Sequence, residues 1–182
     1  MKPLQPPARI RTARAEDAAA IADIYNHGIL GRQATFETRL RTAGDLGAAI
    51  AAAAEWPLLV AEAEDGQVLG WAGLSAYRPR DCYAGIGDFS IYLAPAARGR
   101  GLGKALLQAL VGAARERGFW KLVSRIFPEN AASRALCQRC GFREVGTYEK
   151  HGRLDGRWRD VVIVERLVPE NLETAAPAAR SA

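Results

Sequence analysis

Arg98-Gly99-Arg100-Gly101-Leu102-Gly103-Lys104 stands between a short apolar stretch, residues 89–93, and an amphipathic stretch that begins near Gly101. Glycine at alternate positions allows tight turns and lets backbone N–H groups approach an anion without a Cβ in the way. The first turn of a helix adds unpaired N–H groups and the positive end of its dipole, and three basic side chains add full charges. The segment therefore predicts a pyrophosphate-binding loop. The alternative is a basic helix start that binds no ligand.

The spacing within this loop excludes two common nucleotide-binding motifs. A Walker loop needs a glycine where Arg98 stands and a serine or threonine where Ala105 stands. A dinucleotide fingerprint needs its third glycine where Lys104 or Leu106 stands. What remains is the pattern Arg-x-x-Gly-x-Gly over residues 98–103.

Composition and charge narrow the class of partner. The chain has 182 residues, 49% of them hydrophobic, and a net charge of +5. This charge permits nucleic-acid binding, but the basic residues concentrate within residues 98–125, and no RNA-binding or zinc-finger motif accompanies them. We therefore expect a small phosphate-bearing ligand and no nucleic-acid partner. No apolar run approaches the roughly 20 residues of a membrane span, and the N-terminus lacks the apolar core of a signal peptide. We therefore expect a cytoplasmic protein without a membrane partner.

The cysteines predict neither a disulfide framework nor a metal site. Cys137 and Cys140 form a C-x-x-C at the end of a predicted helix, whereas a redox motif of this kind opens one. Zinc would require two further ligands, and Cys82, His27 and His151 are irregularly spaced. We expect buried thiols and no metal.

Apolar periodicity predicts one domain over residues 9–170, with loose tails at 1–8 and 171–182. Strands are predicted at 9–13, 58–62, 68–74, 89–93, 120–127, 142–149 and 160–167, and helices from residue 18 to a loop at 28–42, then at 43–55, 101–117 and 130–140. The helix at 101–117 is expected to bury Leu102, Ala105, Leu106, Ala109, Leu110 and Ala113. This is a mixed α/β layout whose order does not repeat βα units, so a doubly wound sheet is not expected.

The loop resembles the coenzyme A pyrophosphate loop of the GCN5-related N-acetyltransferase (GNAT) superfamily. Two further features match: Asn130 after a strand, followed by a short helix that ends at Gly141-Phe142, and Asp88 just before the apolar stretch. The resemblance implies a mixed, mostly antiparallel sheet of about seven strands flanked by about four helices and splayed at the acetyl-CoA site. It implies acetyl-CoA as donor, bound by Phe89, Ile91, Tyr92, Arg98, Gly99, Arg100, Gly101, Leu102, Gly103, Lys104 and Asn130. Asn130 is alternatively, or in addition, a helix cap.

Over roughly residues 9–170 the chain is similar to the phosphinothricin acetyltransferases, and to their branch associated with arsinothricin. The matching segments are Tyr25-Asn26-His27, Ala34-Thr35-Phe36-Glu37-Thr38-Arg39, Arg78-Pro79-Arg80-Asp81-Cys82-Tyr83, Asp88-Phe89-Ser90-Ile91-Tyr92, Lys150-His151-Gly152 and Trp158-Arg159-Asp160. The resemblance implies a homodimer that acetylates the α-amine of glutamate-like antimetabolites or of methionine sulfone and sulfoximine, and hence a role in antibiotic resistance.

The same resemblance assigns a substrate site. Arg78 and Arg80 are expected to donate to the anionic acceptor, although Arg-Pro-Arg also suits a solvated loop. Phe36 and Tyr83 are expected to wall its methylene chain, with ordinary packing as the alternative. His27 lines the pocket or caps its helix.

For catalysis, the resemblance implies that Asp88 acts as general base, through a water molecule because its side chain is short. Backbone N–H groups of residues 89–92 would hold the thioester oxygen. Two positions depart from the family pattern: Cys137 stands where many members have a tyrosine acid, and Asp155 where some relatives have a histidine. The identity of the acid that protonates the leaving thiolate therefore stays open.

Two other functions are compatible with the loop. Acetylation of a protein or peptide N-terminus would favour an open groove over an anionic pocket. A non-catalytic acyl-CoA-binding module would keep residues 98–104 but would not need Asp88, Arg78 or Arg80.

Overall fold

A computed structural model describes residues 8–173. The tails predicted at 1–8 and 171–182 lie almost wholly outside this range. Residues 169–171, which are described, form a short 3-10 turn.

The described residues contain seven strands and four α-helices. The strands are β1 (Arg9–Thr12), β2 (Leu58–Glu62), β3 (Val68–Ala76), β4 (Ile86–Leu93), β5 (Lys121–Ile126), β6 (Arg143–Leu154) and β7 (Arg157–Leu167). The helices are α1 (Ala18–Leu30), α2 (Ala43–Ala51), α3 (Leu102–Glu116) and α4 (Ala131–Arg139). None of these helices is long and apolar enough to cross a membrane.

All seven strands form one sheet in the order β1-β2-β3-β4-β5-β7-β6. Strands β4 and β5 pair in parallel, and the other neighbours pair antiparallel. The parallel pairing is short: it joins Ile86–Asp88 to residues 121–123 and stops there, although both strands continue. The predicted mixed, mostly antiparallel sheet is confirmed, and so is its opening in the middle.

The two faces of the sheet carry different cores, because side chains alternate along each strand. On one face, helix α3 inserts Leu106, Leu107 and Leu110, all fully buried, against Phe89 and Leu122. On the other face, helix α1 packs Ile21 and Ile24 in one cluster with Val60 and Trp71. Each of the central strands therefore separates two apolar layers.

The predicted buried face of α3 was partly wrong. Ala105 is exposed and Ala109 and Ala113 are half-buried, whereas Leu107 and Val111 are buried. The prediction of this face from apolar periodicity gave alanine and leucine equal weight. The buried stripe instead contains Gly103, Leu106, Leu107, Leu110, Val111 and Ala114, so its larger side chains remove most of the apolar area from water while Leu102 is only half-buried.

Several element boundaries also differ from the prediction. Helix α1 extends to Leu30, two residues into the predicted loop, and α2 ends at Ala51 rather than 55. Strand β4 starts at Ile86, so Asp88 lies inside the strand rather than before it. The last two strands are longer than expected and form a hairpin, because Asp155 and Gly156 turn the chain with positive φ angles.

Candidate active site

A cleft of about 250 Å³ opens where β4 and β5 separate. Its floor comes from β4 and β5, one wall from α1 and the following loop, and the other from the start of α4. It is lined by Tyr25, Ala34, Thr35, Phe36, Glu37, Asp88, Phe89, Ser90, Ile91, Tyr92, Ser124, Arg125, Ile126, Asn130, Ser133 and Cys137. Six residues predicted for the site are among them: Phe36, Asp88, Phe89, Ile91, Tyr92 and Asn130.

The edge of β4 presents backbone groups to this cleft. The Ser124 hydroxyl donates to the Phe89 carbonyl oxygen at 2.8 Å, across the gap between β4 and β5. Backbone direction alternates along a strand, so Phe89 and Ile91 point towards the gap and Ser90 and Tyr92 towards β3. The predicted oxyanion donors over 89–92 therefore narrow to the N–H groups of Phe89 and Ile91.

Asp88 is the last residue of β4 that pairs with β5. The Arg125 guanidinium on β5 makes a direct hydrogen-bonded ion pair with it. The Asp88 side chain is 17% exposed and that of Arg125 is 40% exposed. Burial raises the pKa of the Asp88 carboxyl above its ordinary value, while the charge and hydrogen bond of Arg125 oppose that rise. The Asp88 carboxyl thus has a raised affinity for protons. Its cationic partner, Arg125, is exposed enough to be drawn to another anion.

Aromatic rings build the α1 side of the cleft. Tyr92 packs between Tyr25 and Trp71, with ring centroids 4.8 and 5.1 Å away. Burial raises the pKa of the Tyr92 phenol, so its hydroxyl stays neutral at physiological pH. Gly28 of α1 allows this packing, since a Cβ there would lie 2.6 Å from the Tyr92 ring.

The loop that follows α1 brings Phe36 to the cleft. Phe36 meets Phe127 edge to face with centroids 4.9 Å apart, and Gly152 of the β6–β7 hairpin lies so close that a Cβ would reach 2.8 Å from the Phe36 ring. An ion pair of 3.1 Å between Arg32 and Asp155 ties the loop to the hairpin turn. Asp155 therefore contacts this loop and does not line the cleft.

The predicted pyrophosphate loop lies between the end of β4 and the start of α3. Gly99 and Gly101 adopt φ angles of 73° and 82°, a region that costs other residues steric strain. A Cβ at either position would meet nothing within 4 Å, so these backbones face open space. Gly103 differs, because a Cβ there would press on Leu136 at 3.3 Å and Leu93 at 3.4 Å. The first two glycines therefore shape the anion cradle, and the third allows α3 to pack closely.

This loop suits a phosphate group in charge as well as shape. Gly101 begins α3 as its N-cap, and the exposed basic side chains Arg98, Arg100 and Lys104 surround it. Its 101–103 segment contacts α4 through Leu136, one residue before Cys137 of the cleft. Helix α4 thus links the two places, because Leu136 packs on Gly103 and Cys137 lines the cleft.

Asn130 acts as the N-cap of α4: its Oδ1 accepts from the Ser133 N–H at 3.1 Å. Its Nδ2 donates to the Gln33 carbonyl oxygen at 3.2 Å. The predicted cap is therefore confirmed. A contact with the coenzyme stays a prediction.

Four predicted substrate residues do not line the cleft of this chain. His27 is exposed and lines a second cavity near Asp23 and Pro95. His27 is therefore not among the residues that line the cleft of this chain, and its expected place in the substrate pocket stays a prediction. Arg78, Arg80 and Tyr83 lie in the loop before β4, at the opposite strand end from the pyrophosphate loop.

The cleft is also lined by residues that were not predicted for the site, among them Arg125, Tyr25, Glu37 and Ser124. Arg125 had a usable signal, since a charged residue interrupts an otherwise mostly apolar predicted strand at 120–127. Tyr25 had none, because it fits the buried face of its helix equally well.

Cys137 lines the cleft and is 2% exposed. Burial raises the pKa of its thiol to about 12. It therefore keeps its proton at neutral pH and is a poor acid for a leaving thiolate. Within residues 8–173, the His, Cys, Asp and Glu side chains form no group of three or more that would hold a metal ion.

Comparison with known proteins identifies the family. Residues 28–142 match the model of the acetyltransferase (GNAT) family. The chain is 34% identical over 172 residues to an L-methionine sulfoximine/L-methionine sulfone acetyltransferase of Pseudomonas aeruginosa, covering 87% of this chain and 93% of that protein. It is 37% identical over 167 residues to a phosphinothricin N-acetyltransferase of Alcaligenes faecalis, covering 86% of this chain and 81% of the relative.

The fold matches solved structures equally well. A GNAT superfamily phosphinothricin acetyltransferase from Sinorhizobium meliloti, solved with acetyl-CoA, superposes with a TM-score of 0.86 at 34% identity, covering 95% of this chain and 94% of that one. The family match and these relatives place the chain among the acyltransferases. The chain belongs to the GNAT acetyltransferase family, and the resemblance seen in the sequence is confirmed.

Proposed function

We propose that this protein is an acetyl-CoA-dependent N-acetyltransferase of small α-amino acids, of the class that includes phosphinothricin and methionine sulfone or sulfoximine. One observation carries the proposal: a partly buried carboxylate, Asp88, stands where β4 and β5 part, beside residues of β4 that no longer pair with β5. A non-catalytic acyl-CoA-binding module would have no use for this arrangement.

Backbone groups of the protein would bind acetyl-CoA, the acetyl donor. Residues 98–104 would cradle the pyrophosphate, and the gap between β4 and β5 would receive the arm that leads to the thioester. The N–H groups of Phe89 and Ile91 would donate to the thioester oxygen, where negative charge grows as the amine attacks.

The acceptor would enter on the α1 side. Asp88 accepts a proton from the ammonium group, directly or through water, and so frees the lone pair of the nitrogen. This nitrogen attacks the thioester carbon, the C–N bond forms, and the C–S bond then breaks. After the attack the nitrogen still carries one surplus proton, and a water molecule passes it to the departing thiolate, because the Cys137 thiol holds its own proton too tightly. No acyl-enzyme is formed.

Further properties implied by the resemblance belong to the same proposal. Phe36 would line the acceptor site, and arsinothricin would be among the acceptors, giving a role in antibiotic resistance. Arg78, Arg80 and Tyr83 would contribute to acceptor binding from their loop. We also propose a cytoplasmic homodimer without nucleic-acid or membrane partners.

A thiol-release assay with acetyl-CoA tests the proposal. The panel contains phosphinothricin, arsinothricin, methionine sulfone, methionine sulfoximine, glutamate and a peptide with a free N-terminus. We expect turnover of amino acids, and Asp88→Asn should lower kcat about 100-fold or more through loss of the base. Acetyl-CoA affinity should not change.

The control is Asp65→Asn, which removes a carboxylate from the exposed turn between β2 and β3. It should leave turnover intact. Acetyl-CoA binding without turnover of any amine would contradict the enzyme and favour the binding module. Turnover of the peptide alone would favour an N-terminal acetyltransferase.

A further inference from the structure

The cleft contains one ion pair, between Asp88 and Arg125, that joins its two floor strands. Among residues 8–173, Arg125 is the one arginine or lysine that lines the cleft. It is also on the correct side: Asp88 and Arg125 point to the face of the sheet that carries Tyr25 and Phe36, where an acceptor enters.

The other charged groups around this pair already have partners or lie further off. Glu37, the second carboxylate of the cleft, pairs with Arg41 at 2.7 Å. Tyr92 is a neutral phenol, and Cys137 is a neutral thiol. Arg125 is therefore the cation that an anionic acceptor meets in this cleft, and its 40% exposure leaves donor groups accessible.

Because Asp88 and Arg125 are in contact, they determine how far apart the positive and negative groups of a matching ligand must be. Groups that engage Asp88 and Arg125 together must themselves be neighbours. In an α-amino acid, the ammonium and the carboxylate are attached to the same carbon atom. A distal anionic head, several bonds from the amine, does not fit this spacing.

We propose that the Asp88–Arg125 pair recognises the zwitterion of an α-amino acid, with Arg125 binding its α-carboxylate while Asp88 receives its ammonium group. The inference rests on the proposed function and adds the residue that selects acceptors with a free α-carboxylate. On binding, the Asp88–Arg125 pair is replaced by two new ion pairs, one between Asp88 and the ammonium group and one between Arg125 and the α-carboxylate. No charge is therefore left buried without a partner.

The replacement of the Asp88–Arg125 pair also makes Asp88 a stronger general base. In the free protein, Arg125 opposes the effect of burial on the pKa of Asp88. When the α-carboxylate takes the guanidinium, that opposition weakens, and Asp88 becomes a stronger base while the amine is next to it. A simple amine, which has no carboxylate, leaves the Asp88–Arg125 pair closed.

The test compares methionine sulfone with its α-carboxamide, which keeps the amine and the sulfone but lacks the negative charge. In Arg125→Gln, we expect kcat/KM for methionine sulfone to fall about 30-fold or more, as for loss of a hydrogen bond to a charged group, with a raised KM. For the carboxamide, kcat/KM should not fall, because Arg125→Gln removes no contact with this acceptor and frees Asp88 from its ion pair. Arg125→Lys should restore part of the preference.

Arg139→Gln is the matched control, because Arg139 is an exposed arginine of α4 outside the cleft. It should affect neither acceptor, and the KM for acetyl-CoA should be unchanged in all variants. Unfolding midpoints establish that the variants fold. Equal losses with the acid and the carboxamide, or no loss in Arg125→Gln, would overturn the role of Arg125 while leaving the acetyltransferase intact. Absence of turnover with any amine would instead overturn the proposed function.

Discussion

At the scale of single residues, two glycines decide the shape of the donor loop. Gly99 and Gly101 hold positive φ angles and face open space, and Gly101 also begins α3. A turn of this shape suits the predicted pyrophosphate site, because the unpaired N–H groups at a helix start attract an anion. Any side chain at Gly101 adds backbone strain, and an acidic one adds repulsion.

Gly101→Glu should weaken acetyl-CoA binding by roughly 100-fold or more, since it places a carboxylate beside the pyrophosphate and costs backbone strain of about 1 kcal/mol. Isothermal titration calorimetry measures the affinity. Gly101→Ala is the control, because it adds the strain without the charge and should lose much less. An unchanged affinity in Gly101→Glu would refute the assignment of the loop.

At the scale of elements, an ion network fastens β1 to β2 and to the turn before α1. Arg11 of β1 binds both carboxylate oxygens of Asp17, at 2.7 and 2.9 Å, and both of Glu62, at 3.0 and 2.7 Å. The Asp17 side chain is 4% exposed and also accepts from the Arg14 N–H. This network positions the start of α1, the helix that supplies Tyr25 to the cleft.

Asp17→Asn should destabilise the protein by about 1–3 kcal/mol at pH 7, because a buried guanidinium loses a charged partner. The hydrogen bonds from Arg11 lower the pKa of Asp17 and of Glu62 below their ordinary values in the folded state. Their contribution is therefore fully present above the unfolded-state values near 4 and is lost as the pH falls below them. Urea unfolding at pH 7 and pH 3 measures both effects.

The control for this network is Glu16→Gln. Glu16 pairs loosely with Arg14 at 3.7 Å, and both side chains are mostly exposed. Such a pair contributes little to stability. The gap in stability between wild type and Asp17→Asn should narrow at pH 3, and a gap that is constant with pH would argue against the ionic origin.

At the scale of the whole molecule, the sheet ends on one side at β6, an edge strand. The β6–β7 hairpin exposes Val145, Tyr148 and Trp158, each 48–56% accessible. Exposed apolar side chains beside an unpaired strand edge are a favourable place for self-association. This supports the proposed homodimer and suggests that the hairpin contributes to its interface.

Trp158→Lys should therefore shift the protein towards monomer, because it places a charge in an apolar contact. Sedimentation equilibrium measures the change, and wild type should have twice the monomer mass. Leu30→Lys is the control, since Leu30 is a similarly exposed apolar residue at the end of α1. A monomeric wild type would contradict the dimer, and a dimeric Trp158→Lys would move the interface elsewhere.

Much of this architecture was predictable from local signals. The order of strands and helices follows from apolar periodicity, and the donor loop from glycine and arginine spacing at 98–104. The caps at Asn130, Gly118 and Gly141 are also local, and the structure has Asn130 at the N-cap of α4 and positive φ at both glycines. The α3 face was predicted less well, since periodicity alone does not weigh a leucine against an alanine.

The family and the predicted pyrophosphate loop at 98–104 could be read from the amino-acid sequence, because a turn of this kind is built from consecutive residues. The surroundings of Asp88 became visible only in the tertiary structure. It places Asp88 next to Arg125, 37 positions away in the chain, and His27 is not among the residues that line the cleft. The physical reason is that β4 and β5 pair in parallel for three residues and then part. Which side chains meet across such an opening depends on strand register and crossover, which no local pattern encodes.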